Sequence, residues 1–383
     1  MYLTPLFKLM AEKQASDLFF TAGAPIQMKI MGNLMPVNNQ LLDGATVKKI
    51  AYELMSEAQV KSFESEMEMN MAVGVEATGS FRVNIFRQRG SCAIVIRHVK
   101  AAIPTIDELK LPPVLKELIM ERRGMVLIVG ATGSGKSTSL AAMIEHRNST
   151  RSGHILTIED PIEFLFKHNK CIINQREIGM DTRSYEHALV NAMREAPDVL
   201  MIGEIRDRPT LNHALIFAQT GHLCLATLHA NNSYHALNRI ISFFPPEARN
   251  ALLGDLSMSL KAVISQRLLR NVDGKLAPAV EVLLNTKHIS ELIKNGEIDR
   301  IKEAMEQSLS PGSQTFEQAL FKLFRGGQIS MEDALAHADS PSNLAWIIDN
   351  AKAQETEPAA AGAPAAGQKS DDFSGFSFNL DVV

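Results

Sequence analysis

Residues 130–138 read Gly130-Ala131-Thr132-Gly133-Ser134-Gly135-Lys136-Ser137-Thr138, and the first eight fit the pattern GxxxxGK[ST]. Glycines at these places let successive backbone N–H groups turn inward around phosphate oxygens, and a following helix adds the positive end of its dipole. Lys136 would reach the β and γ phosphates, while the Ser137 hydroxyl would bind Mg2+. The context agrees with the pattern, since an apolar strand-like run (125–129) precedes the loop and a helical run (140–145) follows it. The chemistry is that of a nucleoside triphosphate held with its magnesium ion.

A second cluster is acidic. Ile158-Glu159-Asp160-Pro161-Ile162-Glu163 follows the apolar run 155–158. Three carboxylates at a strand's end would converge on the loop side of the sheet, where ligands bind in open α/β folds. They would offer acceptors for an attacking water and oxygen ligands for Mg2+. Alone, such a turn reads equally well as solvated surface; behind a phosphate loop it gains force. Residues 199–204 form an apolar run that ends in Gly203-Glu204. Glycine stands where many phosphate-loop proteins have aspartate, so Glu204 would act on Mg2+ through water. Arg206 and Asp207 beside it also fit an ordinary charged strand end. His222 and His229 bracket the next apolar run (223–227), and neither has a metal-type partner at i+3 or i+4, which excludes a zinc site there.

The elements that must position these groups divide the chain. Residues 1–100 read as a small α/β unit: a helix at 5–13, strands at 18–21 and 26–30 around a Gly23-Ala24-Pro25 turn, and a helix at 47–54. Strands at 81–86 and 93–99 follow, joined across Gln88-Arg89-Gly90-Ser91. Residues 101–113 hold Pro104, Pro112 and Pro113 and read as the interdomain linker. From 114 to 350, apolar runs at 125–129, 155–158, 199–202 and 223–227 alternate with helical segments, which implies a sheet buried on both faces. The stretches 248–269 and 289–309 look mainly helical. Residues 351–383 are rich first in Ala, Pro and Gly and then in polar residues around Phe373, Phe376 and Phe378, so they are expected to be disordered.

Composition narrows the function classes. The 383 residues include 39 Lys and Arg against 43 Asp and Glu, a formal net charge of −4. That balance, with no basic run interleaved with aromatics, argues against a nucleic-acid partner. The longest apolar runs fall far short of the roughly 20 residues a membrane helix needs. The first residues lack the features of a signal peptide. Cys92, Cys171 and Cys224 are dispersed and read as reduced thiols.

Taken in order, these pieces resemble the secretion-superfamily ATPases, and within them the type IV pilus retraction ATPases, the PilT/PilU family. The resemblance runs from about residue 1 to residue 346. Its most specific words are ILTIEDPIEF (155–164), NQRE (174–177), REAPD and GEIRD (194–198 and 203–207), TGHLCLATLH (220–229) and ISQRLL (264–269). The resemblance implies an N-terminal PAS-like domain, a RecA-like ATPase domain, and ATP bound between subunits of a hexameric motor. It gives Glu163 the role of polarising the attacking water and Glu204 that of the magnesium-associated acid. It places Glu159, Asp160 and His222 among the nucleotide-binding residues and His229, the other half of a His-box pair with His222, among the catalytic ones. It matches Arg82 and Arg97 to arginines of the N-terminal domain that approach the nucleotide, a task suited to a fixed, always-charged fork. Arg194 and Arg206 lie in matching blocks too. Pilus-extension and type II secretion ATPases carry a four-cysteine zinc module that three dispersed cysteines cannot build. Residues 288–295 read HISELIKN where PilT-type chains have an AIRNLIRE-like helix, and with the long tail this points to the PilU branch.

The implied partners are further copies of the chain, alone or with a PilT-type motor, and the inner-membrane platform at the pilus base. The implied location is the cytoplasmic face of that membrane. Two other readings stay open: another secretion or conjugation traffic ATPase with the same chemistry, and a nucleotide-gated adaptor that does not hydrolyse ATP. Lys136, Glu163 and Glu204 together speak against the adaptor.

Overall fold

The computed structural model describes residues 3–30, 32–75, 79–99 and 102–356. Two sheets carry the molecule. The first is six-stranded, formed by β1 (Asp17–Thr21), β2 (Gln27–Ile30), β3 (Asn33–Pro36), β4 (Glu68–Val75), β5 (Gly79–Gln88) and β6 (Ser91–Val99). Their order is β3-β2-β1-β6-β5-β4 and every neighbouring pair is antiparallel. Along β5 the odd residues Phe81, Val83 and Ile85 are buried against Phe7, Met10, Val47 and Phe63, which lie on the helices Thr4–Glu12, Gly44–Leu54 and Glu57–Glu66. The even residues, Arg82 among them, are only half-buried, as a period of two requires of a sheet with one core face. Asp43 and Ser56 cap two of those helices by accepting from Thr46 N and Gln59 N.

Most of these elements match the expected ones. Three do not: β3, β4 and the helix Glu57–Glu66 have no counterpart in the sequence reading. All four residues of β3 are exposed, so no apolar pattern marks it, and β4 mixes Glu, Asn, Gly and Met.

The second sheet has seven strands: β7 (Gly124–Val129), β8 (Gly153–Glu159), β9 (Cys171–Glu177), β10 (Val199–Ile202), β11 (Leu223–Leu228), β12 (Leu260–Arg270) and β13 (Leu276–Leu284). Their order is β13-β12-β7-β11-β10-β8-β9, with every pair parallel except the β12–β13 hairpin. In β7, Met125, Leu127 and Val129 enter one core while Val126 and Ile128 enter the other. Each such side chain contributes about 2 kcal/mol through burial, so the sheet is the rigid base beneath the loops at its edge.

The expected helix over 248–269 needs correction. A helix occupies Pro246–Ser259, and Leu260–Arg270 is strand β12, inserted beside β7. Residues 262–266 of this strand are buried without a break, Ser265 and Gln266 included, so no period of two separates it from a buried helix. The stretch 289–309 is broken at Gly296, with helix Lys287–Asn295 before it and Ile301–Glu306 after. Helix Pro341–Thr356 runs six residues past the boundary expected at 350, and 357–383, with the three phenylalanines, lies outside the described residues. In the connecting segment, Ile106 and Leu111 are buried in the core of the second sheet.

Candidate nucleotide site

Ligands of open parallel sheets bind outside the carboxyl ends of the strands. Here four neighbouring strands, β7, β11, β10 and β8, end on that edge about 4.8 Å apart. β7 runs into the Gly130–Ser137 loop, β11 into His229, β10 into Gly203-Glu204, and β8 ends at Glu159, followed by Asp160 and Glu163. Together they line a cleft of about 470 Å3 that also takes in Thr132, Lys136, Ser137 and Thr138.

The loop is built for anions. Gly133 and Gly135 have φ of +80° and +88°, a region that side-chain-bearing residues rarely adopt, and a Cβ at 135 would also lie 2.8 Å from Gln266 Nε2. Helix Lys136–Thr150 starts at Gly135 with no side-chain cap, so its first N–H groups face the cleft unmet. Lys136 Nζ donates to the carbonyls of Gly130 (2.8 Å) and Ala131 (2.9 Å). Burial pushes the lysine's pKa down while Glu204 and Glu163 push it up. Ser134 Oγ is buried without a partner inside the loop. Uncapped N–H groups and a lysine are the donor set of a triphosphate, so the phosphates of a nucleotide fit. Ser137, Glu204 and Asp160 offer oxygen ligands, which suit Mg2+.

The carboxylates differ in setting. Glu159 is buried; its Oε1 accepts from Thr157 Oγ1 (2.6 Å) and Gln175 Nε2 (3.1 Å), and burial pushes its carboxyl pKa up. Glu204 lies between two basic side chains, with Arg206 Nε at 2.7 Å and His229 Nε2 at 3.4 Å, while Arg206 also reaches Asp160 at 3.2 Å. The Thr227 hydroxyl donates to the Gly203 carbonyl and Ile205 N donates to Thr227 O, which locks the ends of β10 and β11 together around Glu204. Glu163 is exposed on the cleft wall.

Arg82, Arg97 and His222 stand outside this cleft, as do Ala131 and the buried Gly130 and Ser134. Arg82 crosses from β5 to the second sheet and pairs with Glu177 at 2.6 Å, both largely buried. The same Glu177 Oε2 accepts from Ile162 N at 3.0 Å, so the arginine is one step from the acidic turn. Arg97, opposite Arg82 in the ladder, pairs with Asp17 at 2.8 Å and is 66% exposed. His222 precedes β11 and so sits at the strand's other end from His229, roughly 20 Å away. It touches Thr220 and the Phe217 ring, and within one chain it cannot help line the cleft. Arg194 lies in a short 3-10 turn, Met193–Glu195. Sequence reasoning overlooked Glu177, Gln175, Thr157 and Gln266. Gln175 and Glu177 alternate along β9, and Gln266 accepts from Ser139 Oγ at 2.7 Å; only Thr157, a polar residue within the buried apolar stretch of β8, left a signal in the sequence. Among the described residues, Cys92, Cys171 and Cys224 are free and buried, and no group of three or more His, Cys, Asp or Glu side chains could hold a metal.

A family model described as type II/IV secretion system protein matches residues 2–294. The type IV pilus ATPase PilU of Pseudomonas aeruginosa is 51% identical over 344 residues, covering 90% of this chain and 90% of that protein. The type IV pilus retraction ATPase PilT of the same organism is 38% identical over 344 residues, 90% of this chain and 100% of its own. The crystal structure of the pilus retraction motor PilT with bound ADP superimposes with a TM-score of 0.84 at 40% identity, over 90% of this chain and 99% of that one. The chain therefore belongs to the type II/IV secretion system protein family and, within it, to the PilT/PilU group of type IV pilus ATPases.

Proposed function

We propose that the chain is one subunit of an ATP-hydrolysing motor that powers or assists type IV pilus retraction and twitching motility. The observation that carries this reading is the row of four parallel strand ends that sets the phosphate loop, His229, Glu204 and the Glu159–Glu163 turn along one cleft. Its relatives' names and the ADP held by the similar PilT structure support it.

The residues divide the work as follows. The loop N–H groups and Lys136 hold the phosphates, with Lys136 exchanging its two carbonyl partners for phosphate oxygens. Magnesium, when bound with the triphosphate, neutralises charge on its oxygens. Ser137 and Glu204 would hold that ion, and His229 and Arg206 orient Glu204. Glu163 accepts the proton of the attacking water. Arg82 steadies the turn bearing Glu163 through Glu177 and Ile162, and the exposed Arg97 is available to a neighbouring subunit.

In this reading the first sheet unit is PAS-like, the second RecA-like, and six chains form a ring with nucleotide between subunits. The ring works alone or with a PilT-type motor, against a membrane platform at the cytoplasmic base of the pilus, without nucleic acid. Among the described residues no helix is long and apolar enough to cross a membrane. The test is ATP turnover by the purified chain, with and without a PilT-type partner, beside twitching of cells lacking the chain. Turnover that is absent under both conditions overturns the reading.

A further inference from the structure

Tyr185 begins the helix Tyr185–Ala192, and its ring packs on the core beneath the cleft. Its hydroxyl is buried and has no hydrogen-bond partner. An orphaned buried hydroxyl costs about 1–3 kcal/mol, so its retention calls for a reason. The surroundings supply one. The charged groups that bear on it are Asp160, Glu204 and Glu159, which line the cleft, and Arg206 beside them; burial and the three carboxylates push the phenol's pKa up against the pull of Arg206.

Gly203 completes the picture. A Cβ at 203 would lie 2.8 Å from Tyr185 Oη, 3.2 Å from Ile158 O and 3.3 Å from Glu159 Cα. The space into which a side chain at 203 would start is thus taken by a phenol from another element. A side chain at 203 would meet both the Tyr185 hydroxyl and the backbone of Ile158 and Glu159.

We propose that Tyr185 is a positioning residue of the nucleotide site: its hydroxyl, unpartnered in the nucleotide-free chain and lodged where a side chain at 203 would be, donates to the acidic edge of Asp160 and Glu204 when magnesium and nucleotide bind. It holds that edge in the arrangement the magnesium–nucleotide complex needs. This rests on the reading of the cleft as a nucleotide–magnesium site. Tyr185→Phe keeps the ring in the core and removes only the donor.

The experiment measures affinity of the full chain for ADP and for a slowly hydrolysed ATP analogue, each with and without Mg2+. In Tyr185→Phe the magnesium-free affinity should be unchanged, while the gain conferred by Mg2+ should shrink about fivefold to tenfold, the scale of one lost hydrogen bond to a charged group. Gly203→Ala should shrink it similarly by displacing the hydroxyl, and adding it to Tyr185→Phe should cost little more. An unchanged magnesium gain in Tyr185→Phe, or strictly additive losses in the double variant, overturns the proposal. A thermal midpoint below the parent's would mark the hydroxyl as structural and also overturn it. If the parent itself shows no magnesium gain, the reading of the cleft fails instead.

Discussion

The two sheets solve different problems with the same kinds of residue. The first is antiparallel with a single core face, and its strands alternate buried and half-buried residues, leaving Arg82 and Arg97 on the side away from the core. The second is parallel and buried on both faces; its strands offer chemistry only at their ends. Charged groups on the first sheet are therefore spread over a surface, whereas those on the second are gathered on one edge. The sheets meet in the Arg82–Glu177 pair, where a surface arginine of one becomes a largely buried partner of the other.

The largest expected effects lie on the edge of the second sheet. Lys136→Ala should weaken triphosphate binding by about a hundredfold or more, because the phosphates lose their one buried cation. Glu163→Gln should keep that binding and slow hydrolysis by about a hundredfold or more, as expected when the group facing the water can no longer accept its proton. Nucleotide titration and steady-state turnover separate the two. Hydrolysis at the parental rate in Glu163→Gln would move the general base elsewhere on the edge.

Next in size is the junction between the sheets. Arg82→Ala should lower turnover about tenfold, because the buried Glu177 loses its counter-charge while still holding Ile162 N. Glu177→Gln should lower it similarly, and the double variant should be little worse than either single one, since both act on one turn. Arg97→Ala, whose partner is Asp17 on its own sheet, should matter less in the isolated subunit than in the assembled ring. Normal turnover by the Arg82→Ala, Arg97→Ala double variant would deny the first sheet any part in catalysis.

The same contrast explains what the sequence made legible. The phosphate loop and the acidic turn are local words, and a strand before each was enough to place them. Strand β12 was misread as helix because, with neighbours on both sides, its polar and apolar residues do not alternate and 262–266 are buried in an unbroken run. Strand β3 was missed for the opposite reason, since wholly exposed residues carry no burial pattern. The pairing of Arg82 with Glu177 links positions 95 residues apart and follows from the docking of two sheets, which no local pattern encodes. The sequence reading put His222 and His229 at opposite ends of one strand yet both at the nucleotide; the direction of β11 shows that one faces the cleft and the other the far edge. His229→Ala should accordingly reduce turnover about tenfold by freeing Glu204, while His222→Ala should leave the isolated subunit's nucleotide affinity within twofold, about 0.4 kcal/mol. Equal losses of affinity would erase the distinction between the two ends.

The smallest effect concerns stability on that edge. Glu159 is buried, and burial raises its pKa in the folded chain despite the opposing hydrogen bonds from Thr157 and Gln175 and the charge of Arg82. A carboxyl that holds its proton more tightly folded than unfolded favours the fold below the ordinary glutamate value. That contribution is lost as pH rises through the raised value, because the unfolded chain ionises first. Glu159→Gln keeps the acceptor oxygen for Thr157 and cannot ionise. Without nucleotide, it should match the parent near pH 4 and exceed it increasingly as pH rises above the ordinary glutamate value. Urea midpoints of both proteins across that range provide the check. Midpoints that stay parallel at every pH would mean that Glu159 is charged in the folded chain, held by Arg82 across the junction, and the two sheets would then be coupled electrostatically as well as through Glu177.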